Sequence, residues 1–304
     1  MLTSFEQLID RVKGRKNASR VIVASANDEH TLEAVFRAAE EGIVSPVLVG
    51  EKQGIFAILD KLRVSVPMED VYDIPDPDAA AAKSVELIRE GKADFLMKGK
   101  LETAQLLKPV VNKETGIGEG GLMTHITLFE APHYHKLFTA VDGGMVTYPT
   151  LEQKKRIIEL NVEFFRRLGY ENPKVAILAA IEKVNPKMPE TVEADELCQM
   201  NRRGELSGCT VAGPISLDIA LDRESAEIKG YENPVAGDAD ILVVPNIQTG
   251  NILGKSITVI AKGKMSGFIA GAKVPIILTS RASSSEEKYL SIVLASAVSG
   301  NSNQ

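Results

Sequence analysis

The sequence predicts a mixed α/β protein with mainly parallel strands and two domains. The chain has 304 residues, more than one hydrophobic core usually serves. Hydrophobic residues make up 44% of the chain, which is enough for full cores. Short β-branched runs alternate with amphipathic segments through the first third of the chain, a pattern typical of parallel strands joined by helices that cover both faces of a sheet.

The amino-terminal elements follow this alternation. After an opening amphipathic helix, residues 20–26 form a β-branched run that predicts a buried strand. Leu32, Val35 and Phe36 recur at helical spacing, so we predict a helix over 29–41, ended by Gly42. The next predicted elements are a strand at 46–50, helices near 55–62 and 79–89, and a strand at 93–97.

Beyond residue 118 the pattern loosens. Two apolar runs, 122–129 and 137–141, are close enough to form an antiparallel pair. The later predicted elements are a helix at 150–168, a strand at 175–178, a helix at 189–203, a strand at 239–244, a helix from about 251, and a closing strand and helix, the helix at 287–298. No linker separates these elements, which suggests that the chain passes back and forth between two domains, and the closing strand and helix can rejoin the first. We therefore predict one domain from 1–118 plus 270–304 and a second from 119–269.

Charge and cysteine content exclude several classes of protein. The balance of 35 Lys plus Arg against 41 Asp plus Glu gives a net charge of −6, which provides no field to attract nucleic acid or an anionic membrane. No apolar run reaches a membrane span, and the first residues do not resemble a signal peptide. Cys198 and Cys209 lack metal spacing, so we expect a reducing, cytoplasmic environment.

The most informative segment is the apolar run 272–278, because it is followed by Thr279 and then by the hydroxyl of Ser280 and the guanidinium of Arg281. Ligands of open α/β sheets bind beyond the carboxyl ends of strands. A helix beginning near Ser283 would point unpaired N–H groups at the same place and, with Arg281, form a phosphate site. The alternative is an ordinary helix cap beside a surface ion-pair donor.

Lysines follow another predicted strand. Lys98 and Lys100 flank Gly99 after the strand at 93–97, and Lys108 lies in the next helix. Glycine allows close approach of a ligand to the backbone, and lysines supply charge for phosphate. Solvated surface lysines are the alternative.

Polar residues also follow strands in the second predicted domain. Asp142 follows the run at 137–141 and is either a turn residue or a ligand contact. Asp218 follows another strand, and the alternative is that Ser216 caps a helix whose first turn favours the negative charge of Asp218. Asn246, Asn251 and Lys255 are more indicative of a site together than singly.

Several familiar motifs are missing. No GxGxxG follows the first strand, and neither GxSxG nor HExxH occurs. His133 and His135 have no carboxylate or cysteine cluster beside them in the sequence, so no metal site is predicted.

A series of motifs in order resembles the phosphate acetyl/butyryltransferase family over nearly the whole chain. The motifs are Met97-Lys98-Gly99-Lys100, Asn112-Lys113-Glu114, Tyr148-Pro149, Asn185-Pro186-Lys187-Met188-Pro189, Gly213-Pro214, Asp218-Ile219-Ala220-Leu221, Pro245-Asn246-Ile247, Thr249-Gly250-Asn251 and Leu278-Thr279-Ser280-Arg281-Ala282. The butyryltransferase branch is the more similar one.

The resemblance implies a two-domain fold similar to isocitrate and isopropylmalate dehydrogenases, with acyl-CoA and inorganic phosphate bound in an interdomain cleft. It implies reversible transfer of a short acyl group, butyryl preferred: butanoyl-CoA + phosphate = butanoyl phosphate + CoA. It also implies a homo-oligomer.

The resemblance assigns roles to individual residues. Ser280 and Arg281 match residues that serve catalysis and phosphate binding. Glu287 matches the proposed base for the coenzyme A thiol, while Glu286 competes with it because some relatives carry carboxylates at other positions of this helix. Lys108 stands where relatives have an anion-binding arginine. A thiolate attacks an acyl phosphate better than a thiol, so a carboxylate base suffices, and no cofactor beyond coenzyme A as substrate is expected.

Other functions remain open at this point. A phosphate acetyltransferase differs only in pocket shape. Residues 115–121 carry an acid and no base where many relatives have an arginine, which leaves a non-catalytic acyl-CoA-binding protein as a third possibility. A nicotinamide-dependent oxidoreductase of similar fold is disfavoured, because no acidic cluster for its metal is evident.

Overall fold

The computed structural model describes residues 1–280 and 283–299. The chain forms two compact units. The terminal unit comprises Glu6–Met123 and Ser266–Gln304, and the central unit comprises Met1–Phe5 and Thr124–Met265. The two domains, as independently folding parts, stay a prediction.

Helices and strands alternate along most of the chain. The helices are α1 Phe5–Lys13, α2 Glu29–Glu40, α3 Lys52–Leu62, α4 Pro77–Arg89, α5 Thr103–Val110, α6 Leu151–Arg167, α7 Pro189–Arg202, α8 Leu217–Leu221, α9 Arg223–Ile228, α10 Ile247–Lys255 and α11 Ser285–Ser299. The strands are β1 Ser19–Ala24, β2 Val44–Gly50, β3 Val71–Asp73, β4 Phe95–Lys98, β5 Thr124–Glu130, β6 Phe138–Val141, β7 Lys174–Leu178, β8 Thr210–Ile215, β9 Ile241–Val243, β10 Lys264–Ala270 and β11 Ile276–Ile277.

In the terminal unit the strand order is β3-β2-β1-β4-β11-β10. The pairings of β3 with β2, β2 with β1, β1 with β4 and β4 with β11 are parallel, while β10 is antiparallel to β11. The chain leaves β1 toward β2 on one side and later returns to β4 on the other. The carboxyl ends of β1 and β4 therefore form a topological switch point, where such sheets leave a crevice.

In the central unit the order is β5-β6-β9-β7-β8. The antiparallel pairing of β5 with β6, predicted from the two neighbouring apolar runs, is confirmed. The other neighbours are parallel, so the carboxyl ends of β6, β9, β7 and β8 lie at one edge. The predicted mixed α/β class with mainly parallel strands is confirmed.

Local sequence accounts for several helix ends. Thr150 and Gln153 form a reciprocal capping box at the start of α6. Asp76 caps α4, which has Pro77 in its first turn. Helix α11 is buried on all sides from Lys288 to Val298, as expected of a helix that is apolar around most of its circumference.

Among the helices of the described residues, none combines the length and the apolar character that crossing a membrane requires.

Candidate active site

A cavity of about 740 Å³ opens at the switch point of the terminal unit. Its walls come from the segments after β1, β4 and β11 and from the first turns of α11. The lining residues are Asn27, Asp28, Glu29, His30, Thr31, Ile58, Lys98, Gly99, Lys100, Leu101, Glu102, Gln105, Thr279, Ser280 and Lys288.

Hydrogen bonds hold the segments after β1 and β4 together. The Gly99 N–H donates to the carbonyl of Ala24 at 2.8 Å, and the Lys100 N–H to that of Ser25 at 2.7 Å. A Cβ on Gly99 would lie 2.2 Å from the Ser25 carbonyl oxygen, so no larger residue fits there without a backbone shift. This close approach fixes the positions from which Lys98 and Lys100 reach the cavity.

Three residues predicted from different strand ends line this one cavity. Lys98 is buried, and its ammonium donates to the carbonyl of Leu101 at 3.0 Å. Lys100 and Ser280 are exposed at the cavity wall. Arg281, predicted beside Ser280, lies outside the described residues.

Three lining residues that contact one another, Asp28, Thr31 and Lys288, are not predicted from the sequence. The Lys288 ammonium lies 3.2 Å from Asp28 Oδ2 and 3.3 Å from Thr31 Oγ1. Lys288 is 5% exposed. The Asp28 carboxyl has a lowered pKa, because hydrogen bonding from Thr31 and the charge of Lys288 outweigh the effect of burial. Asp28 follows the first predicted strand, so the same carboxyl-end argument would have selected it.

The two candidate bases have different surroundings. Glu286 is exposed and forms an ion pair with Arg37. Glu287 is partly buried, and its Oε1 accepts a hydrogen bond from Ser283 Oγ at 2.6 Å. Burial raises the pKa of the Glu287 carboxyl, although Ser283 and the charge of Lys288 partly oppose this. Neither glutamate is among the residues that line the cavity in the described part of the chain.

Lys108 lies in the last turn of α5 and is exposed. It is outside the cavity lining formed by the described residues.

In the central unit, the Asp142 carboxylate is occupied by neighbouring donors. Oδ1 accepts from the N–H groups of Gly144 at 2.7 Å and Met145 at 2.8 Å. Oδ2 accepts from the Thr124 hydroxyl at 2.8 Å and the His125 N–H at 3.0 Å. These contacts favour the turn role that the sequence left open for Asp142.

Asn246 directly precedes α10, and Asn251 lies in the middle of this helix, beside the Asp142 turn. Asn246 caps the helix, accepting from the Thr249 N–H at 3.0 Å. The Asn251 amide lies 3.4 Å from the Gly143 carbonyl oxygen, and a Cβ on Gly143 would lie 3.0 Å from the carbonyl carbon of Gly250. The helix predicted from about 251 therefore begins earlier, at Ile247, because Asn246 supplies the cap.

Lys255 is exposed at the last turn of α10, where a π-helical segment, Ser256–Ile260, follows. The structure therefore places Asn246 and Asn251 near the Asp142 turn and Lys255 at the opposite end of the helix.

Asp218 belongs to a small polar cluster after β8. Its carboxylate lies 2.8 Å from the Lys229 ammonium. Hydrogen bonds from Lys229 and Ser216 lower the pKa of Asp218 to about 2. Lys229 also lies 3.2 Å from Glu182 Oε1, so Asp218 shares its cation with a second carboxylate.

Both cysteines are buried and free. Burial raises the pKa of the Cys198 thiol to about 12 and that of the Cys209 thiol to about 11.

Of the two histidines for which no metal site is predicted, His135 contacts a carboxylate. His135 Nε2 lies 2.8 Å from Asp238 Oδ1. In the part of the chain that the structure describes, no group of three or more His, Cys, Asp or Glu side chains is arranged to hold a metal ion.

Comparison with known proteins identifies relatives over nearly the whole chain. Residues 65–296 match a family model described as Phosphate acetyl/butaryl transferase. The chain is 43% identical over 301 residues to the phosphate butyryltransferase of Clostridium acetobutylicum, with 99% of this chain and 100% of that protein covered. It is 42% identical over 290 residues to the phosphate acetyltransferase of Thermotoga maritima, covering 95% and 98%. A crystal structure of a branched-chain phosphotransacylase from Enterococcus faecalis V583 superimposes with a TM-score of 0.81 at 33% identity, covering 92% of this chain and 99% of that one.

Proposed function

Since the chain belongs to the phosphate acetyl/butaryl transferase family, we propose that it is a phosphate acyltransferase acting on short acyl chains. The reaction is butanoyl-CoA + phosphate = butanoyl phosphate + CoA, with butyryl the preferred acyl group. The structural observation that carries the proposal is the convergence of Lys98, Lys100 and Ser280 on one cavity at the strand ends.

The chemistry requires a phosphate site, a way to stabilise developing charge and a base. Lys98 and Lys100 supply positive charge for phosphate groups. Ser280 donates a hydrogen bond to the phosphate or to the oxyanion of the acyl group. Arg281 binds phosphate through its planar guanidinium, a role that rests on the resemblance and on its place in the sequence. Substrate positioning of this kind needs no covalent enzyme intermediate.

Glu287 is the better candidate for the base. Its burial raises the pKa of the carboxyl, and a base is more effective when its pKa lies closer to the working pH. Glu286 is instead engaged with Arg37 at the surface. We therefore assign Glu287 to accept the proton of the coenzyme A thiol when acyl phosphate is attacked.

The remaining predicted residues take binding roles in this proposal. Lys108, as the resemblance implies, and Asn246, Asn251, Lys255 and Asp218, from their places after strands, would contact coenzyme A or phosphate. Asp142 would act through the turn that it holds together. Coenzyme A serves as substrate, and the reaction uses no metal or organic cofactor.

The proposal extends to the setting of the enzyme. We propose the two-domain arrangement of isocitrate and isopropylmalate dehydrogenases, supported by two α/β units that each have their own parallel strands. A cytoplasmic location is consistent with two free thiols, and the homo-oligomer follows from the resemblance.

Acetyl transfer is the second candidate, favoured by the 42% identity to an acetyltransferase. Residues 115–121, which lack the arginine of many relatives, are the feature that would favour acyl-CoA binding without turnover.

The test is release of free coenzyme A from butyryl-CoA, acetyl-CoA and longer acyl-CoAs, with and without phosphate. We expect release that depends on phosphate, is fastest with butyryl-CoA and is lost in Arg281→Ala. Faster turnover of acetyl-CoA would favour the second candidate. No release from any acyl-CoA at saturating phosphate would overturn the proposed function.

A further inference from the structure

The cavity has a buried cation that the motifs do not include. Lys288 lies in the first turns of α11, is 5% exposed and lines the cavity. An ammonium group has three N–H donors and no acceptor. Among the described residues its partners are Asp28 Oδ2 at 3.2 Å and Thr31 Oγ1 at 3.3 Å. These contacts leave one N–H for a molecule that enters the cavity.

Lys98, Lys100 and Lys288 line the cavity in equal number with the carboxylates of Asp28, Glu29 and Glu102, so it is the direct surroundings of Lys288 that favour an anion. Asp28 is the one carboxylate in contact with Lys288 among the described residues, and it is partly exposed. Lys98 lines the same cavity, and the Leu101 carbonyl that accepts from it is a neutral group. Burying a cation costs free energy unless hydrogen bonds and opposite charge offset the loss of water. A phosphate group would supply both to Lys288.

We propose that Lys288 binds a phosphate group of the substrate through a charge-assisted hydrogen bond, while Asp28 and Thr31 hold its ammonium in position. This inference rests on the proposed function and adds a residue to its site. Ser280 lines the same cavity, so both side chains border the space that the substrates would occupy. The phosphate group belongs either to inorganic phosphate or to coenzyme A.

The first experiment measures KM and kcat for Lys288→Met with each substrate varied in turn. A hydrogen bond to a charged group corresponds to about tenfold or more in affinity. We expect KM to rise by about this factor for one substrate. A rise for phosphate identifies inorganic phosphate as the ligand, and a rise for acyl-CoA identifies a phosphate of coenzyme A. Unchanged KM values for both substrates would overturn the inference.

Two further variants separate binding from folding. Asp28→Asn combined with Lys288→Met removes both charges, so no unpaired buried charge is left to destabilise the fold, and the KM increase should persist. Lys136→Met removes another buried lysine, one that does not line the cavity, and should leave both KM values unchanged.

A binding measurement keeps this inference separate from the proposed function. Inorganic phosphate and coenzyme A are each added to the wild type and to the double variant, and the increase in thermal unfolding temperature is compared. The wild type should be stabilised by at least one of them and the double variant less so. If the wild type bound phosphate but transferred no acyl group, the proposed function would fail while Lys288 could still be assessed. Equal stabilisation of both proteins would count against Lys288.

Discussion

Two buried lysines, Lys136 and Lys288, differ in how fully their charge is compensated. Lys136 lies just before β6 in the central unit, 2% exposed, and its ammonium is 2.8 Å from Asp238 Oδ1, 2.7 Å from Asp240 Oδ1 and 2.9 Å from the Asp238 carbonyl. Among the described residues, Lys288 contacts one carboxylate and one hydroxyl, and it lines a cavity. Lys136 has three partners and supports the fold, whereas Lys288, with two partners among the described residues, is the lysine that we propose binds phosphate.

The two lysines also differ in their position relative to the parallel strands of their own units. Lys136 lies at the amino ends of strands, and Lys288 lies near the carboxyl ends. Asp240 directly precedes β9, and Lys174, the first residue of β7, donates its N–H to Asp240 Oδ2 at 2.7 Å. The Lys136 network thus joins the amino ends of β6, β9 and β7. The cavity beside Lys288 lies at the carboxyl ends of β1 and β4, where α/β sheets bind ligands. The position relative to the strands and the number of charged partners thus both favour a structural role for Lys136 and a binding role for Lys288.

The largest effect is expected on stability when Lys136, the lysine with the structural role, is replaced. Lys136→Met leaves Asp240 without its cation in a buried position, and breaking a buried pair in this way costs about 3 to 5 kcal/mol. Denaturant unfolding of the variant would measure the loss, with Lys136→Met/Asp240→Asn as the control that restores part of it. A loss below about 1 kcal/mol would mean that the network behaves like a surface ion pair.

A smaller effect is expected at the neighbour of Lys288, where activity and stability should change in opposite directions. Glu287→Gln removes the assigned base, so acyl-phosphate consumption should slow by about a hundredfold. In the wild type, the rate should fall as the pH drops through the Glu287 pKa, which lies above 4.5, and the variant should lose this limb of the pH profile.

Stability provides the second measurement on Glu287→Gln. Folding raises the pKa of this carboxyl, so its stabilising contribution is present below the unfolded value of 4.5 and is lost as the pH rises through the folded value. The variant should therefore be more stable than the wild type at neutral pH, and the difference should shrink in acid. An unchanged rate together with unchanged stability would remove Glu287 from the site.

The smallest effect is expected at the next residue along the chain. Glu286→Gln breaks a surface pair with Arg37, and exposed pairs contribute about 0 to 1 kcal/mol. Thermal unfolding and turnover should both remain close to the wild type. A rate loss equal to that of Glu287→Gln would transfer the role of base to Glu286.

The site residues that could be predicted from the sequence are those that stand at the carboxyl end of an apolar run. Lys98 and Ser280 each follow an apolar run, and the carboxyl end of a run is a local feature. The contact between Asp28 and Lys288 joins residues 260 positions apart, and no pattern in a single sequence specifies such a pairing.

The helices and strands that could be predicted are likewise those whose ends are set by nearby residues. Strand β3 has three residues, too few for a pattern to distinguish them from a loop. Strand β10 contains Gly267 and was also missed, because its place beside β11 is set by a partner and not by its own composition. In contrast, α6 was predicted within a residue or so at either end, since Thr150 caps it and its apolar face is regular.

The buried thiols of Cys198 and Cys209 have a practical consequence for measuring this reaction. With a pKa of about 11 or above for each thiol, only about one thiol in a thousand or fewer is ionised at mildly alkaline pH, and the thiolate is the form that reacts with disulfide reagents. A colorimetric thiol reagent would then detect the coenzyme A that turnover releases, with little reaction from the thiols of the folded protein. Unfolding would expose both cysteines, so the same reagent doubles as a probe of whether a variant is still folded while it is being assayed.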